Sequence, residues 1–328
     1  MRLPKRPEAG ESLGVLGEPL SSPQNALVKR AASLRRRKFR EREGAFLAEG
    51  ADLVVAGLAT GHRPQVVFLC EERAQELAAR LGLTGGGPAG SAAAREAAGT
   101  ASPGGLPPAV YPVSRRVAER LTSLETPPDV MAVFPLPERA PLSSLSGVGS
   151  SAQAGASQSA DGLLLVYADG IADPGNMGTL LRAAVAFGAT VLATAPGSAD
   201  VYGPKTVRGS MGAVFGLPLF PDVELADLVR ELHLERVYGL AAHEGLPLAE
   251  ADLRRPAALV VGAERPGLSP RAGAQVTQLV TIPLAPAVPG VVESLNAGVA
   301  GALALYEFSR RTAGAPEHPP RLVAPAKG

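Results

Sequence analysis

The stretch Ile282–Arg311, IPLAPAVPGVVESLNAGVAGALALYEFSRR, decides the fold of this chain. It begins at the end of an apolar strand predicted over Leu279–Leu284, continues through a proline-rich loop, and becomes one long helical run after Ser294-Leu295-Asn296. Ser294 or Asn296 is suited to cap this helix, because a short polar side chain accepts a hydrogen bond from the free amides of a first turn. A strand that leads through a loop into a helix indicates an α/β fold.

The predicted helix carries small residues almost all round its first two turns, among them Gly298 and Gly301. Glycine inside a helix costs roughly 1 kcal/mol relative to alanine. Two glycines three positions apart therefore indicate that another backbone or a ligand comes close. The alternative interpretation is a buried helix in a protein that is rich in small residues.

The composition is that of a globular protein. A length of 328 residues, of which 46% are hydrophobic, favours two domains with real cores. The net charge is only +1, so a nucleic-acid role has to be sought in the distribution of charge. The single cysteine, Cys70, excludes an intramolecular disulfide and any multi-cysteine metal site. We interpret Cys70 as a small hydrophobic residue rather than a nucleophile, and expect no metal.

Membrane and export signals are missing from the sequence. No run of about 18 apolar residues predicts a transmembrane helix. The N-terminal residues MRLPKRPEAG lack the apolar region of a signal peptide. We therefore expect a cytoplasmic protein without a membrane partner.

Shifts in composition divide the chain into segments. Proline, glycine and serine concentrate in the stretches that we interpret as tails and linkers, and helix and strand patterns alternate between them. The predicted segments are a disordered tail over 1–22, a small α/β domain over 23–138 with a low-complexity insertion at 82–108, a flexible linker over 139–161, a second α/β domain over 162–311, and a disordered tail over 312–328.

Positive charge is concentrated near the start of the first domain. The segment Lys29–Arg42 contains eight basic residues and one acidic residue, with apolar residues at helical spacing. This pattern predicts one amphipathic helix that ends in a basic cluster. Lysine and arginine at this density contact nucleic-acid phosphates, although such a run is as often a solvated helix face. The predicted phosphate contacts are Lys29, Arg35, Arg36, Arg37 and Lys38.

The second domain alternates strands with helices. The uninterrupted apolar segment LLLVYA, residues 163–168, is typical of a buried parallel strand. Alternating strands and helices predict a parallel sheet that binds its ligand at the carboxyl ends of the strands. Three Gly/Pro-rich loops follow such strands, at 173–183, 262–269 and before 294–296. No catalytic Ser/His/Asp set, metal-ligand cluster or phosphate-binding loop accompanies them.

These three loops, in this order and spacing, resemble the motifs of the SpoU/TrmH family of RNA ribose methyltransferases, within the SPOUT superfamily. The resemblance spans residues 162–311, and residues 23–138 resemble more weakly the ribosomal-protein-like domain with which many members hold RNA. Two features depart from the family pattern, namely Arg265 in place of a glycine and a longer loop containing Pro286 and Pro289. The matching residues are Asn176, Gly178 and Arg182; Gly262, Glu264, Gly267 and Leu268; and Ile282, Pro283, Ser294, Leu295 and Asn296.

The resemblance implies a fold and a cofactor. The second domain would be a parallel-sheet domain with a deep trefoil knot, an exceptional feature among proteins, and close approach at Gly298 and Gly301 would suit a threaded chain. The first would be a smaller α/β RNA-binding domain, and the protein would form a homodimer. The cofactor would be S-adenosylmethionine. The implied cofactor-binding residues are Gly262, Ala263, Ile282, Leu284 and Leu295.

The resemblance also implies a reaction, transfer of a methyl group to a ribose 2'-hydroxyl. The extra N-terminal domain favours ribosomal RNA over transfer RNA. In the family, the arginine at the position of Arg182 is proposed to activate the hydroxyl. Because a guanidinium stays protonated near neutral pH, we expect Arg182 to stabilise the developing alkoxide and to grip a phosphate.

The remaining implied residues orient the reactants or hold the RNA. The other implied catalytic residues are Asn176, Glu264, Ser294 and Asn296. Arg208, in the segment 200–215, completes the predicted RNA contacts. An alternative of a different class is a non-catalytic RNA-binding protein of the same fold, which would not bind S-adenosylmethionine. A generic nucleotide-binding α/β protein is disfavoured, because the only glycine fingerprint lies in the low-complexity insertion.

Overall fold

The computed structural model describes residues 16–83, 108–138, 162–285 and 293–312. The chain divides into two compact units, one formed by Met1–Glu138 with Tyr202–Gly216, the other by Arg139–Val201 with Leu217–Gly328. The predicted linker, almost all of the predicted insertion and the C-terminal tail beyond residue 312 lie outside the described residues. No helix in the described part of the chain is long and apolar enough to cross a membrane.

The strands and helices follow the predicted alternation. The strands are β1 (Ala45–Glu49), β2 (Val66–Cys70), β3 (Ala109–Val113), β4 (Val130–Pro135), β5 (Leu164–Asp169), β6 (Val191–Thr194), β7 (Leu219–Phe220), β8 (Val237–Ala241), β9 (Leu246–Pro247), β10 (Ala257–Gly262) and β11 (Gln278–Thr281). The helices are α1 (Ala26–Ser33), α2 (Arg37–Glu43), α3 (Ala51–Ala59), α4 (Ala74–Arg80), α5 (Arg115–Leu121), α6 (Pro174–Ala186), α7 (Pro204–Gly209), α8 (Leu225–Glu231), α9 (Pro270–Gly273) and α10 (Ala297–Thr312).

The first unit is built on a four-stranded sheet in the order β1-β4-β2-β3, in which β2 and β3 are parallel. Side chains alternate between the two faces of a strand. On one face, Leu47 and Phe68 join a core cluster with residues of α1 and α5. On the other, the rings of Phe46 and Phe134 make tilted contacts with the ring of Phe215.

Two predicted boundaries of the first unit are wrong. Tyr202–Gly216, predicted to belong to the second domain, belongs to the first unit. The physical reason is aromatic packing, since the rings of Tyr202 and Phe215 lie 5.1 and 5.7 Å from that of Phe46. The end of the predicted disordered tail instead lies along β3, where the amide of Gly17 donates to the carbonyl of Val110 at 2.8 Å.

The predicted single helix over Lys29–Arg42 is also wrong, because it is broken into α1 and α2. The chain turns at Leu34, whose side chain enters the core and is 2% exposed. The buried guanidinium of Arg40 donates from Nη1 to the carbonyl of Leu34 at 2.7 Å. This bond satisfies a carbonyl that the end of α1 leaves without a helical partner.

The second unit confirms the predicted parallel sheet. Its strands run in the order β7-β6-β5-β10-β8-β11-β9, and all the pairings between neighbours are parallel. The two-residue strands β7 and β9 were not predicted. The predicted strand Leu279–Leu284 is wrong at its end, since β11 stops at Thr281. Pro283 has no N–H to donate to a strand ladder, which explains the early end.

Helices α6 and α10 lie against each other through the small residues of α10. A Cβ atom added at Gly298 would lie 2.9 Å from the Cβ of Thr179 and 3.0 Å from the carbonyl oxygen of Asn176. At Gly301, it would lie 2.6 Å from the Cδ1 of Leu180. The close approach expected from these glycines is therefore confirmed, and the neighbour is another helix of the same unit.

We predict that Gly298→Ala lowers the free energy of unfolding. Overpacking against a backbone oxygen costs about 1–3 kcal/mol, which exceeds the gain of about 1 kcal/mol in helix propensity. The matched control is Gly273→Ala in α9, where an added Cβ meets nothing within 4 Å. Chemical denaturation of the three proteins measures the effect. A Gly298→Ala protein as stable as the Gly273→Ala protein would contradict the prediction.

Candidate active site

A cavity of about 860 Å³ lies at the carboxyl ends of β8, β10 and β11. This volume falls within the range of small-molecule sites. Its walls come from the loops that follow these strands and from the start of α10. The structure places all five predicted cofactor residues in its lining, namely Gly262, Ala263, Ile282, Leu284 and Leu295.

The loop 263–269 folds back tightly over the end of β10. A Cβ atom added at Gly262 would lie 2.5 Å from the carbonyl carbon of Gly267 and 2.7 Å from the amide nitrogen of Leu268. Only glycine leaves room for this approach. Gly267 itself has a φ of +92°, in the region that favours glycine. The predicted second motif is therefore a compact loop whose backbone groups face the cavity.

A buried carboxylate anchors this loop. Asp169, at the end of β5, is 4% exposed. Its oxygens accept hydrogen bonds from the Ser269 amide at 2.6 Å and from the Ser269 hydroxyl at 3.0 Å. Sequence reasoning missed this pair. The sequence offered only a charged residue at the end of an apolar strand, and its pairing in register with Gly262 is visible only in the structure.

Three predicted catalytic residues meet at the edge of the cavity. The amide of Asn176 donates to Glu264 Oε1 at 3.0 Å. The amide of Asn296 donates to the same oxygen at 3.0 Å and to Asn176 Oδ1 at 2.6 Å. Along the chain, Glu264 lies 88 positions after Asn176, and Asn296 lies 120 positions after Asn176. We call this group the Asn–Glu–Asn cluster.

Helix termini hold the two asparagines of the cluster. The Asp173 carboxylate caps α6 by accepting from the Asn176 amide nitrogen at 2.9 Å. The side chain of Asn296 accepts from the Val299 amide nitrogen at 3.2 Å, as expected of a cap for α10. The cap bond fixes the direction of the Asn296 side chain, and the Asn176 side chain is held by its hydrogen bonds to Glu264 and Asn296.

Arg182 and Ser294 do not join the cluster. Both are exposed, and neither side chain makes a hydrogen bond or ion pair within the described ranges. Arg182 stands on α6, six residues after Asn176, on a different side of the helix. Its guanidinium is therefore free to meet a ligand that approaches from outside.

The predicted RNA-binding residues divide into two groups. Lys29, Arg36 and Lys38 are exposed, and Arg37 pairs with Glu41 at 2.8 Å. Arg35 instead donates to the backbone carbonyl of Thr122 at 2.9 Å. Arg208 donates to Glu49 at 3.0 Å, and the Glu49 side chain is 1% exposed. The structure therefore gives Arg35 and Arg208 intramolecular roles that sequence reasoning did not foresee.

Glu49 of the first unit is a buried carboxylate whose contacts the sequence did not reveal. Its carboxylate accepts from Arg208 Nη1 and from the hydroxyl of Thr122. A buried charge is tolerated when it is paired and hydrogen-bonded in this way. The three residues are far apart in the chain, so no local pattern could have indicated their contact.

Cys70 shows no sign of nucleophilic activation. Burial raises the pKa of its thiol, and the neighbouring Glu72 carboxylate accepts a hydrogen bond from Sγ at 2.7 Å. A thiol with a raised pKa is a poor source of thiolate near neutral pH. Within the described ranges, no group of three or more His, Cys, Asp or Glu side chains is arranged to hold a metal ion.

We predict that Asp169→Ala frees the loop 263–269. Each hydrogen bond to a charged group contributes about 1.5–3 kcal/mol, and 1.4 kcal/mol corresponds to a tenfold change in an equilibrium. Amide hydrogen exchange of the peptide that contains Ser269 should accelerate roughly tenfold or more. The control, Asp227→Ala, removes an exposed carboxylate that pairs with Arg230 in the same unit. Equal exchange rates in both variants would disprove the anchoring role.

Comparison with known proteins agrees with this geometry. Residues 163–306 match the model of the SpoU rRNA Methylase family, and residues 25–132 match the model of the MRM3-like substrate binding domain. The 23S rRNA (guanosine(2553)-2'-O)-methyltransferase RlmP of Bacillus subtilis is 30% identical over 200 residues, which cover 60% of this chain and 71% of that protein.

Two solved structures extend the similarity to both units. The SpoU methyltransferase AviRb from Streptomyces viridochromogenes, in complex with AdoMet, has a TM-score of 0.68 and 27% identity, and the match covers 89% of this chain and all of that chain (100%). The AdoMet-bound rRNA methyltransferase from Sinorhizobium meliloti has a TM-score of 0.67 and 25% identity, with 90% and 98% covered. Together with the three motif loops and the cavity that two of them line, these matches show that the chain belongs to the SpoU rRNA methylase family.

Proposed function

We propose that this protein transfers a methyl group from S-adenosylmethionine to a ribose 2'-hydroxyl of ribosomal RNA. The observation that carries the proposal is the Asn–Glu–Asn cluster at the edge of the cavity. It joins the three family motifs through side chains rather than through sequence order alone. The relatives named as 23S rRNA methyltransferases favour ribosomal RNA over transfer RNA.

The cavity suits the proposed cofactor in size and charge. Its lining includes the apolar side chains of Leu240, Val261, Ile282, Leu284 and Leu295, together with the carboxylates of Glu244, Glu264 and Glu293. Nearby carboxylates stabilise a sulfonium cation, and apolar walls with free backbone groups bind an adenine ring. When bound, S-adenosylmethionine supplies a methyl group that is already activated for displacement.

The task of the protein is then to position the ribose and ease the loss of its hydroxyl proton. Glu264 accepts both asparagine amides on Oε1, which leaves Oε2 without a partner in the described part of the chain. That oxygen and the free hydroxyl of Ser294 are available to orient the ribose. Arg182 carries a free guanidinium, which would stabilise the developing alkoxide and grip an adjacent phosphate.

The homodimer that the family resemblance implies finds support on α10. Val299, Leu303 and Tyr306 recur on one side of this helix and are 45%, 43% and 51% exposed in the single chain. Val185 on the neighbouring α6 is 37% exposed. A contiguous exposed apolar patch of this kind marks an interaction site, and a two-fold homodimer is the commonest way to cover one.

We also propose that the second unit contains a trefoil knot and that the protein is located in the cytoplasm. A threaded chain needs backbones that nearly touch, and a Cβ atom added at Gly245 would lie 2.6 Å from the carbonyl carbon of Leu279. Gly262, Gly298 and Gly301 mark further close approaches. A ribosomal RNA substrate supports the expected cytoplasmic location, as does the bacterial source of the RlmP relative.

We predict that Arg182→Ala lowers the rate of methyl transfer roughly 100-fold, as does loss of one electrostatic contact to a developing anion. Its affinity for S-adenosylmethionine should be unchanged, because Arg182 does not line the cavity. The assays are tritium transfer to ribosomal RNA and titration calorimetry. The control is Arg254→Ala, which removes an exposed arginine of the same unit.

Two outcomes would contradict this proposal. Methyl transfer by Arg182→Ala at the rate of the Arg254→Ala control would remove Arg182 from the reaction. No heat of binding when S-adenosylmethionine is added to the unmodified protein would favour the non-catalytic RNA-binding alternative. Mapping of 2'-O-methyl groups on total RNA would distinguish ribosomal from transfer RNA as the substrate.

We predict that Leu303→Asp converts the protein from a dimer to a monomer, because a buried unpaired carboxylate is unfavourable in an apolar interface. Light scattering coupled to size-exclusion chromatography measures the mass. The control is Val55→Asp, since Val55 is 47% exposed on α3 of the first unit. A monomeric unmodified protein would contradict the proposed homodimer. A dimeric Leu303→Asp protein would show that the interface does not include this part of α10.

A further inference from the structure

Tertiary packing joins two helices of the first unit into one layer. Val28 of α1 and Val117 and Leu121 of α5 belong to the same core cluster. Arg35 Nη1 donates to the carbonyl of Thr122, so the turn between α1 and α2 is fixed beside the end of α5. Residues near position 30 and near position 120 therefore share one surface.

This layer carries most of the positive charge of the unit. The segments 26–43 and 115–121 contain eleven basic and three acidic residues. The segments 51–59 and 71–80, which form α3, α4 and the turn before it, contain two basic and four acidic residues. The near-neutral total of the chain thus conceals a strongly basic surface on one part of it.

Five cations of the layer remain unpaired after its acidic residues are used. Glu43 pairs with Arg30 and Arg42, Glu41 with Arg37, and Glu119 with Arg115. The other exposed cations make no side-chain hydrogen bond or ion pair within the described ranges. We call them the basic face, and they are Lys29, Arg36, Lys38, Arg116 and Arg120.

The kind of RNA that fits this face follows from what the layer lacks. Single-stranded RNA is held by stacking its bases on aromatic rings. Phe39 is the only aromatic residue in the segments 26–43 and 115–121. Its ring is already covered by the Arg42 guanidinium, which lies 4.6 Å from the ring centroid. The layer therefore offers phosphate donors without an open stacking platform.

We propose that the basic face binds the phosphate backbone of a double-helical segment of the RNA, without reading its sequence. The inference rests on the proposed function for the RNA class, and it adds Arg116 and Arg120 to the RNA-binding residues. Each is on α5, remote in sequence from the basic run of α1 and α2. Selection of the methylated nucleotide is then left to the second unit.

The test compares two charge reversals of equal size in the full-length protein. Arg116→Glu with Arg120→Glu alters the basic face, and Arg63→Glu with Arg80→Glu alters exposed arginines outside the layer. The probes are an RNA duplex of about 16 base pairs, the length that a double-stranded RNA-binding domain spans, and a single strand of equal length. Affinity is measured over a series of salt concentrations, after circular dichroism has verified folding.

The basic-face variant should lose roughly tenfold or more of its affinity for the duplex. The salt dependence should flatten by about one unit of slope for each lost phosphate contact. The glutamine variants, Arg116→Gln with Arg120→Gln, should show a smaller loss in the same direction. The control pair should bind the duplex like the unmodified protein.

Three results would overturn the inference: equal losses in both charge-reversal variants, unchanged duplex binding by the basic-face variant, or a loss confined to the single strand. Methyl transfer and calorimetry with S-adenosylmethionine are measured on the same samples. Absent methyl transfer by the unmodified protein, together with the expected duplex defect in the basic-face variant, would refute the proposed function alone. Retained methyl transfer with unchanged duplex binding would refute the basic face alone.

Discussion

One carboxylate oxygen, Oε1 of Glu264, accepts hydrogen bonds from the amides of Asn176 and Asn296. For this to occur, three segments of the chain must arrive within hydrogen-bonding distance of one point. Two of them arrive because β5 and β10 are adjacent and parallel, so that their carboxyl ends share one edge of the sheet. The third arrives because Gly298 and Gly301 let α10 lie directly against α6 and β10. The polar cluster thus depends on close backbone packing.

The loop 263–269 contributes residues to both the cavity and the Asn–Glu–Asn cluster. Glu264, near its beginning, enters the Asn–Glu–Asn cluster, and Ser269, at its end, is held by the buried carboxylate of Asp169. Between them the backbone turns back at Gly267 and forms part of the cavity wall. A ligand in the cavity and a ribose at the cluster would therefore contact opposite sides of one anchored element. In the proposed reaction, this arrangement would couple the position of the methyl donor to that of its acceptor.

The arginines of the first unit include two sets, one hydrogen-bonded within the unit and one exposed to solvent. Arg35, Arg40 and Arg208 donate to groups inside the unit, whereas Arg116 and Arg120 remain in solvent. Nothing in the local sequence separates the two sets, since a charge run looks the same in either case. The separation comes from partners that are distant in the chain. The exposed positive charge of this unit is therefore a property of its surface and not of one basic segment.

The order and type of most elements, the parallel sheet and the three motif loops were determined by the sequence alone. These features follow from local signals: apolar periodicity, glycine and proline in loops, and the rule that parallel strands present their carboxyl ends at one edge. The expectation that Ser294 or Asn296 caps the last helix, and the close approach at Gly298, also followed from short-range reasoning; the structure selected Asn296. Each needs only a residue type and its place in a helix.

Only the tertiary structure decided the remaining features. It broke the basic helix at Leu34, assigned Tyr202–Gly216 to the first unit, and buried Glu49 and Asp169 beside partners far away in the chain. These outcomes depend on which distant side chains a residue meets, and on whether a charge finds a partner when it leaves water. Such contacts are set by the packing of whole elements, so no local pattern in the sequence could have determined them.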